Sequence, residues 1–567
     1  MRIPLQETFK RASIQKRLWL GAAAIAIFIG TLAAAMALTP PDPDDRGKVG
    51  LDFIAFYTAG RFVREGRSAE LYDIHQVQVF QHELARRNGV DLGSAVGPWW
   101  NPPFYAWTFV PLAKLGYREA IKVWTLINLG CAAIATAVLC SFVAKFREWR
   151  SWALVPVLLV LSTPFIHAIS HGQNTCTSLL VVTIAVAFWR RGWAIAAGMT
   201  TGLMFYKPQL GAALSAVLVL SQGRRALLGL SITGAGLLLA SLALPGSIDH
   251  FLHRMPWNLH FVQCEVPYLW DRHVTFKAFW RLLIQGSAAG EPWLSVTLLA
   301  GICQAGVGIG LIWAVRRGTI AGRSSAAPRG NRAHDEMIRP PHRSSGQSDS
   351  GIRALGRLAG CCSVSALSGP ARGDCFATDA RHAHMKNTPA VPAFSRDRLI
   401  AATIAATPLL MPFYFDYDQL LLAIPAVLFA AERVRRDRAA PLPWTDRWLL
   451  RIWPAQYAWL LLNSDVASVT HLNLGVPLLT AVAGLLIARA GGAGKADSAS
   501  ISSHFTAAIS PALHLADMDT DASIPADQPV ALTTQRPSDP QAPVENRNRL
   551  WQRAGDRDHF RRPRESA

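Results

Sequence analysis

From Leu18 to Leu38 the chain runs about 20 residues without a charged side chain, enough to cross roughly 30 Å of hydrocarbon as a helix. Inside a bilayer each backbone N–H and C=O must be satisfied within its own segment, so such a run can only be helical. Further apolar stretches recur along the sequence, separated by short basic loops. Overall the chain is 51% hydrophobic and 17% charged with a mean hydropathy of +0.20, which places it among membrane proteins. The "AMA" at Ala35–Ala37 resembles a signal-peptidase site, but the run is longer than a signal core. With Arg2, Lys10, Arg11, Lys16 and Arg17 ahead of it, it reads as a retained first span with a cytoplasmic N-terminus.

The net charge of +19 is concentrated in short loops and two polar segments, and no nucleic-acid-binding motif accompanies it. Basic clusters lie at Lys145–Arg150 ("KFREWR"), Arg190–Arg191, Arg224–Arg225, Arg316–Arg317 and Glu432–Arg438 ("ERVRRDR"). Between them stand loops almost free of Lys and Arg: His167–Asn174, Leu244–Phe251, Tyr414–Gln419 and Asn463–Asn473. This alternation assigns the first set to the cytoplasm and the second to the opposite face. Two stretches need special treatment. Pro102–Leu115 is apolar but short and interrupted by Pro111, so it is read as re-entrant or interfacial. Trp193–Leu220 spans about 28 residues, roughly 42 Å as one helix, and would put its flanking Arg pairs on opposite faces. A hairpin turning at "FYKPQ" (Phe205–Gln209) keeps both pairs inside and places Lys207 at depth, where an ionisable residue marks a functional candidate.

The expected fold is therefore an all-α polytopic integral membrane protein. About twelve transmembrane helices begin near Leu18, Glu119, Trp152, Thr175, Trp193, Pro208, Ala226, Pro292, Leu399, Leu420, Trp448 and Leu474. Both termini would be cytoplasmic, in the cell (inner) membrane. The first part of the core covers 1–317, with large extracytoplasmic loops at 39–118 and 245–291, and the C-terminal spans cover 397–490. The segments 318–396 and 491–567 are polar, rich in Arg, Ser, Gly and Pro and without periodicity. They are expected to be disordered cytoplasmic segments, because they lack the apolar residues to offset ordering entropy. The first holds Cys361, Cys362 and Cys375, a mixed character that also fits a translated frameshift. The eight Cys show no CxxC pair or metal-ligand spacing, and Cys131, Cys140, Cys176 and Cys303 lie inside apolar spans as small hydrophobes.

Chemistry-bearing residues cluster in the first loop, "GLDFIAFYTAGRFVREG" (Gly50–Gly66), "LYD" (Leu71–Asp73) and "WWNPPFYAWTFVPLAKL" (Trp99–Leu115), and downstream in "HGQNT" (His171–Thr175) and "GLMFYKPQL" (Gly202–Leu210). In these elements the sequence resembles glycosyltransferase family 87, polyprenol-phosphate-sugar-dependent membrane transferases of the GT-C class that include mannosyltransferases of phosphatidylinositol mannoside synthesis. The likeness covers roughly Leu18–Arg317 and Leu399–Leu420. It implies a GT-C-like fold and transfer of a hexosyl, such as mannosyl, residue from a polyprenyl-phosphate sugar to a lipid or glycan acceptor on the extracytoplasmic side. Inversion of the anomeric carbon is implied, with no cofactor and no metal. The partners implied are membrane lipids, the donor and the acceptor.

The resemblance puts Asp52 at the position of the general base, a role needing one carboxylate within reach of the acceptor hydroxyl. Spacing alone favours a simpler role, a helix cap accepting from backbone N–H groups near Ala55. The lipid-phosphate leaving group needs fixed cations, and Lys207, Arg254 and Arg272 are the candidates. Snorkelling to water and contact with anionic headgroups are the bland alternatives. Tyr57, Gln173, Asn174, His273, Asp416 and Asp418 are candidates for substrate contact. Turn capping explains Gln173 and Asn174 as well, and His167 and His171 read as structural donors. Trp99, Trp100, Tyr105 and Trp107 could stack on sugar or prenyl chain, although interfacial aromatic belts are commoner. The rival function is a polytopic transporter or flippase for a lipid-linked or anionic substrate. It calls for matching broken helices in two halves, and only one broken hairpin is evident.

Overall fold

The computed structural model describes residues 52–88, 92, 96–143, 149–265, 268–324, 393–435 and 442–492. The chain divides into two compact units, Met1–Thr319 with Ala393–Ala567, and Ile320–Pro392. The first carries nearly all described residues and is the subject below. The expected first span at Leu18–Leu38 lies outside the described residues, as do nearly all of 318–396 and 491–567.

The described residues are helical and contain no strand. In chain order the helices are α1 (Phe53–Arg64), α2 (Ile74–Arg87), α3 (Tyr117–Phe142), α4 (Trp149–Val160), α5 (Thr163–Ser170), α6 (Thr175–Arg191), α7 (Ala194–Gly202), α8 (Pro208–Gln222) and α9 (Arg224–Leu242). They continue with α10 (Ser247–Cys264), α11 (Phe276–Gln285), α12 (Leu294–Ser324), α13 (Ala393–Leu410), α14 (Ala423–Arg435), α15 (Trp444–Trp459), α16 (Asn463–Thr470) and α17 (Gly475–Ala490). Most begin within a few residues of the expected span starts. Among the described residues, three helices are long and apolar enough to cross a membrane alone: Tyr117–Phe142, Arg224–Leu242 and Leu294–Arg317. The others are shorter or more polar. Pro102–Leu115 forms two 3₁₀ segments, Pro103–Phe109 and Leu112–Lys114, the break coinciding with Pro111.

One apolar core links α1, α3, α6, α8, α13, α14 and α17. Outside it, α9 exposes Leu227, Leu228, Ile232, Leu238, Leu239 and Leu242, and α12 exposes Leu294, Leu298, Ile302 and Ile309. Contiguous apolar surface of this kind suits lipid and not water.

The helix breaks at Phe205–Gln209, the place expected from its length. A 3₁₀ turn ends at Tyr206, and α8 restarts with Pro208 at its first position, where the missing N–H costs nothing. Gly198 meets Ala226 and Leu230, and Gly202 meets Leu230 and Thr233, so contacts advance in the same direction along both helices. α7 and α9 are therefore parallel, and α8 runs back between them. Their approach requires glycine: a Cβ on Gly198 would sit 2.2 Å from the Ala226 carbonyl oxygen, and one on Gly229 2.1 Å from that of Ile195. The α7–α8 turn thus lands at the same end of the bundle as the start of α6.

Candidate active site

The site begins where α1 meets the turn before α6. The backbone N–H of Asp52 donates to the His171 carbonyl at 3.1 Å, and Trp124 Nε1 donates to the Gly172 carbonyl at 2.8 Å. Aromatic packing fixes α1 from behind: Phe56 stacks on Phe109 at 4.8 Å, and Phe53 lies 6.2 Å from Trp124. Asp52 sits at the N-cap position of α1, yet its side chain makes no cap hydrogen bond. Among the described residues its carboxylate enters no ion pair, while its charge acts on His171, Arg272 and Tyr417.

Two other carboxylates come from the 3₁₀ segment Asp416–Leu422, and both are engaged. Asp416 is held by Arg272 in a fork, Nη2–Oδ1 3.0 Å and Nε–Oδ2 3.2 Å, and by His167 Nδ1 at 3.1 Å. Burial raises the Asp416 pKa, but the His167 hydrogen bond and the Arg272 charge outweigh it and bring the value down to about 2. Asp418, 3% exposed, accepts from Lys207 Nζ at 2.8 Å and from Thr175 Oγ1 at 3.0 Å. Lys207 is itself 7% exposed. The Tyr417 ring lies between the two cations, 5.4 Å from Lys207 Nζ and 5.8 Å from the Arg272 guanidinium, within cation–π range.

Arg272 reaches this point because its strand-like segment pairs with the chain before Asp416. His273 and Phe415 form an antiparallel bridge, and Val274 N–H donates to the Tyr414 carbonyl at 2.8 Å. His273 is fully buried, its ring tilted against Phe415 at 4.0 Å and bonded to the Tyr268 hydroxyl at 2.9 Å. Desolvation lowers its pKa to about 3, so it is neutral. His171 lies between Arg272 Nη1, 3.4 Å from its Nε2, and the His167 carbonyl, 2.9 Å from its Nδ1. These partners assign the proton to Nδ1 and leave Nε2 as acceptor. Burial lowers the His171 pKa, with Asp52 opposing and Arg272 reinforcing.

The remaining expected site residues divide. Asn174 is fully buried and donates to the Tyr105 hydroxyl at 3.1 Å, while its own Oδ1 has no partner among the described residues. Gln173 is buried in the same turn. The Tyr57 hydroxyl donates to the Leu115 carbonyl at 2.8 Å, which ties α1 to the second 3₁₀ turn. Arg254 stands apart, paired at 2.8 Å with Asp73, the N-cap of α2. His167, His171, Thr175 and Tyr417 join the cluster without having been picked out as site residues. The signal available was the His167–His171 spacing of one helical turn beside "YFDYDQ".

The chemical content is a half-buried carboxylate that, among the described residues, has no cation of its own, next to two carboxylate–cation pairs. The sequence profile described as glycosyltransferase family 87 matches residues 99–328, less than half of the chain. That range holds Asn174, Lys207, Arg272 and His273, and leaves Asp52, Asp416 and Asp418 outside. No curated protein and no solved structure matches the chain.

Proposed function

We propose, from the match of residues 99–328 to the family model described as glycosyltransferase family 87, that the chain transfers a hexosyl residue from a polyprenyl-phosphate sugar to a lipid or glycan acceptor, with Asp52 as general base. The observation that carries this is the state of the carboxylates: Asp416 and Asp418 are tied to Arg272 and Lys207, whereas Asp52 makes no cap hydrogen bond and, among the described residues, no ion pair. The acceptor hydroxyl oxygen attacks the anomeric carbon as Asp52 takes its proton. The bond from that carbon to the lipid-phosphate oxygen breaks, and polyprenyl phosphate leaves. Attack from the face opposite the leaving group inverts the anomeric centre, and no second carboxylate nucleophile is needed.

Arg272 and Lys207 meet the departing phosphate through donors their carboxylates do not use. A guanidinium has five N–H donors and an ammonium three, so each cation can be shared. His171, neutral with Nε2 turned to Arg272, keeps that guanidinium oriented. The active site lies on the extracytoplasmic face of the inner membrane in this reading, in a bundle of about twelve spans with both termini cytoplasmic. The absence of nucleotide sugars on that face is why the donor is lipid-linked.

Asp52→Asn tests the assignment, because the amide keeps the shape and cannot take a proton at neutral pH. With purified protein, turnover on a polyprenyl-phosphate sugar should fall by about 10²-fold or more, with donor binding and thermal stability little changed. Wild-type turnover in this variant removes Asp52 from the mechanism.

A further inference from the structure

Away from this cluster, the end of α10 meets the loop between α11 and α12. His260 and Cys264 stand one helical turn apart on α10, and Glu291 comes to them from the loop. His260 Nε2 is 3.0 Å from Glu291 Oε1, Cys264 Sγ is 3.6 Å from Glu291 Oε2, and His260 Nδ1 is 3.9 Å from Cys264 Sγ. One ligand atom from each residue lies within 4.8 Å of the other two. Atoms bound tetrahedrally to zinc at about 2.0–2.3 Å stand roughly 3.5 Å from one another, so little movement separates this triangle from a coordination shell.

The loop bearing Glu291 is fixed from beneath. Arg281, 1% exposed, donates to the carbonyls of Ala288, Gly290 and Glu291 at 2.8, 3.0 and 3.0 Å. Gln285 Nε2 donates to the Glu291 carbonyl at 3.0 Å and its Oε1 accepts from Trp293 N–H at 3.0 Å. Glu291's backbone is therefore held before any ligand arrives, and only its side chain need adjust.

We propose that His260, Cys264 and Glu291 bind a zinc-class divalent cation, clipping the α11–α12 loop to the end of α10. An imidazole nitrogen, a thiolate and a carboxylate make a donor set that suits a borderline-soft metal better than magnesium or calcium. On binding, the Cys264 thiol loses its proton to solvent, and the thiol–carboxylate and imidazole–carboxylate contacts are replaced by bonds to the metal. Three protein ligands leave one position for water. The clip spans the base of the segment Tyr268–Thr275, which carries Arg272 to Asp416, so the metal would steady that segment without touching the reacting atoms.

The test is a titration of the full-length, detergent-purified, metal-free protein with Co²⁺. The expected result is a near-ultraviolet thiolate-to-cobalt charge-transfer band with the intense visible bands of four-coordinate cobalt, bleached by Zn²⁺. Cys264→Ser should abolish that band, and Glu291→Gln should weaken Co²⁺ binding by about tenfold or more. Both side chains lie at the surface end of α10 and its loop, and thermal unfolding of the metal-free variants checks that they fold. Absence of the band in the wild type overturns the proposal. So does a band that Cys264→Ser leaves in place, which would report other thiols such as Cys361, Cys362 or Cys375. An affinity unmoved by Glu291→Gln removes the third ligand and the clip with it.

Discussion

The bundle has a buried charged layer at each end, and the two are built differently. α6 connects them, with Thr175 at one end and Arg190 at the other, about 22 Å apart at 1.5 Å per residue. At the far end from Asp52, Arg190 forks onto Asp397 at 2.8 and 3.1 Å. Beside it runs an alternating chain: Arg398 to Glu432 at 2.6 Å, Glu432 to Arg489 at 3.2 Å, Arg489 to Asp446 at 2.8 Å, and Asp446 to Arg433 at 3.3 Å. Every carboxylate there has an arginine, and every cation is an arginine, whose planar fork suits a fixed ion pair. At the Asp52 end, one cation is a lysine and two histidines take part, and among the described residues Asp52 enters no ion pair. The first layer has the make-up of a structural joint. The second keeps a group in reserve, as a reacting site must.

The largest effect should come from the joint. Glu432→Leu leaves Arg398 and Arg489 facing each other in a buried site without their shared carboxylate. Breaking a buried pair from one side costs about 3–5 kcal/mol, so the thermal midpoint of the purified protein should drop sharply, while turnover per folded molecule holds. Lost turnover at unchanged stability would mean that the far layer belongs to the chemistry. Asp52→Asn is the mirror image: about 10²-fold in turnover and no shift in midpoint. If both variants moved stability alone, the contrast between the layers would collapse.

Acid should separate them as well. Asp416 has a folded value of about 2 against an ordinary 3.8. A lowered carboxylate contributes stability that is whole above its unfolded value and is lost as pH falls through the folded one. Its share, up to about 2 kcal/mol, should therefore be complete above about pH 4 and fade towards pH 2. Comparing acid unfolding of wild type and Asp416→Asn measures it. Identical acid profiles would show that the Arg272–Asp416 fork contributes nothing to the fold.

How far these layers could be read from the sequence follows from what the pattern encodes. Apolar runs and their punctuation located the starts of α3, α6, α8 and α17, and a helix too long for its flanking charges located the break at Lys207. Cap geometry could not be read: Asp52 has cap spacing, yet its side chain makes no cap hydrogen bond. Pairing could not be read either. Lys207 meets Asp418 across 211 residues and Arg272 meets Asp416 across 144, and a linear pattern does not say which buried charges will meet. The loop-charge rule treats Glu432–Arg438 as a basic surface cluster, but Glu432 is 5% exposed and Arg433 pairs with Asp446. Both are part of the joint. Arg254 was attractive as a cation in the second loop, and only the packing of α10 reveals that Asp73 takes it.

The smallest effect is the sharpest probe, because it asks whether a paired cation at the Asp52 end does more than hold the fold. Lys207→Met alone is ambiguous: it strands Asp418, 3% exposed, as an unpaired buried carboxylate and should cost stability for that reason. Adding Asp418→Asn removes the stranded charge, and the amide still accepts from Thr175. The double variant should therefore regain most of the stability lost in the single one. If Lys207 serves only Asp418, donor KM and turnover should return with it. If its spare N–H groups also meet the donor phosphate, the double variant should keep a donor KM raised by about tenfold, the scale of one charge-assisted hydrogen bond, with acceptor KM unchanged. Steady-state kinetics on the two variants, with donor and acceptor varied separately, decide it. Full recovery of donor KM would make the Lys207–Asp418 pair a second structural joint and leave Arg272 as the phosphate-facing cation at that end.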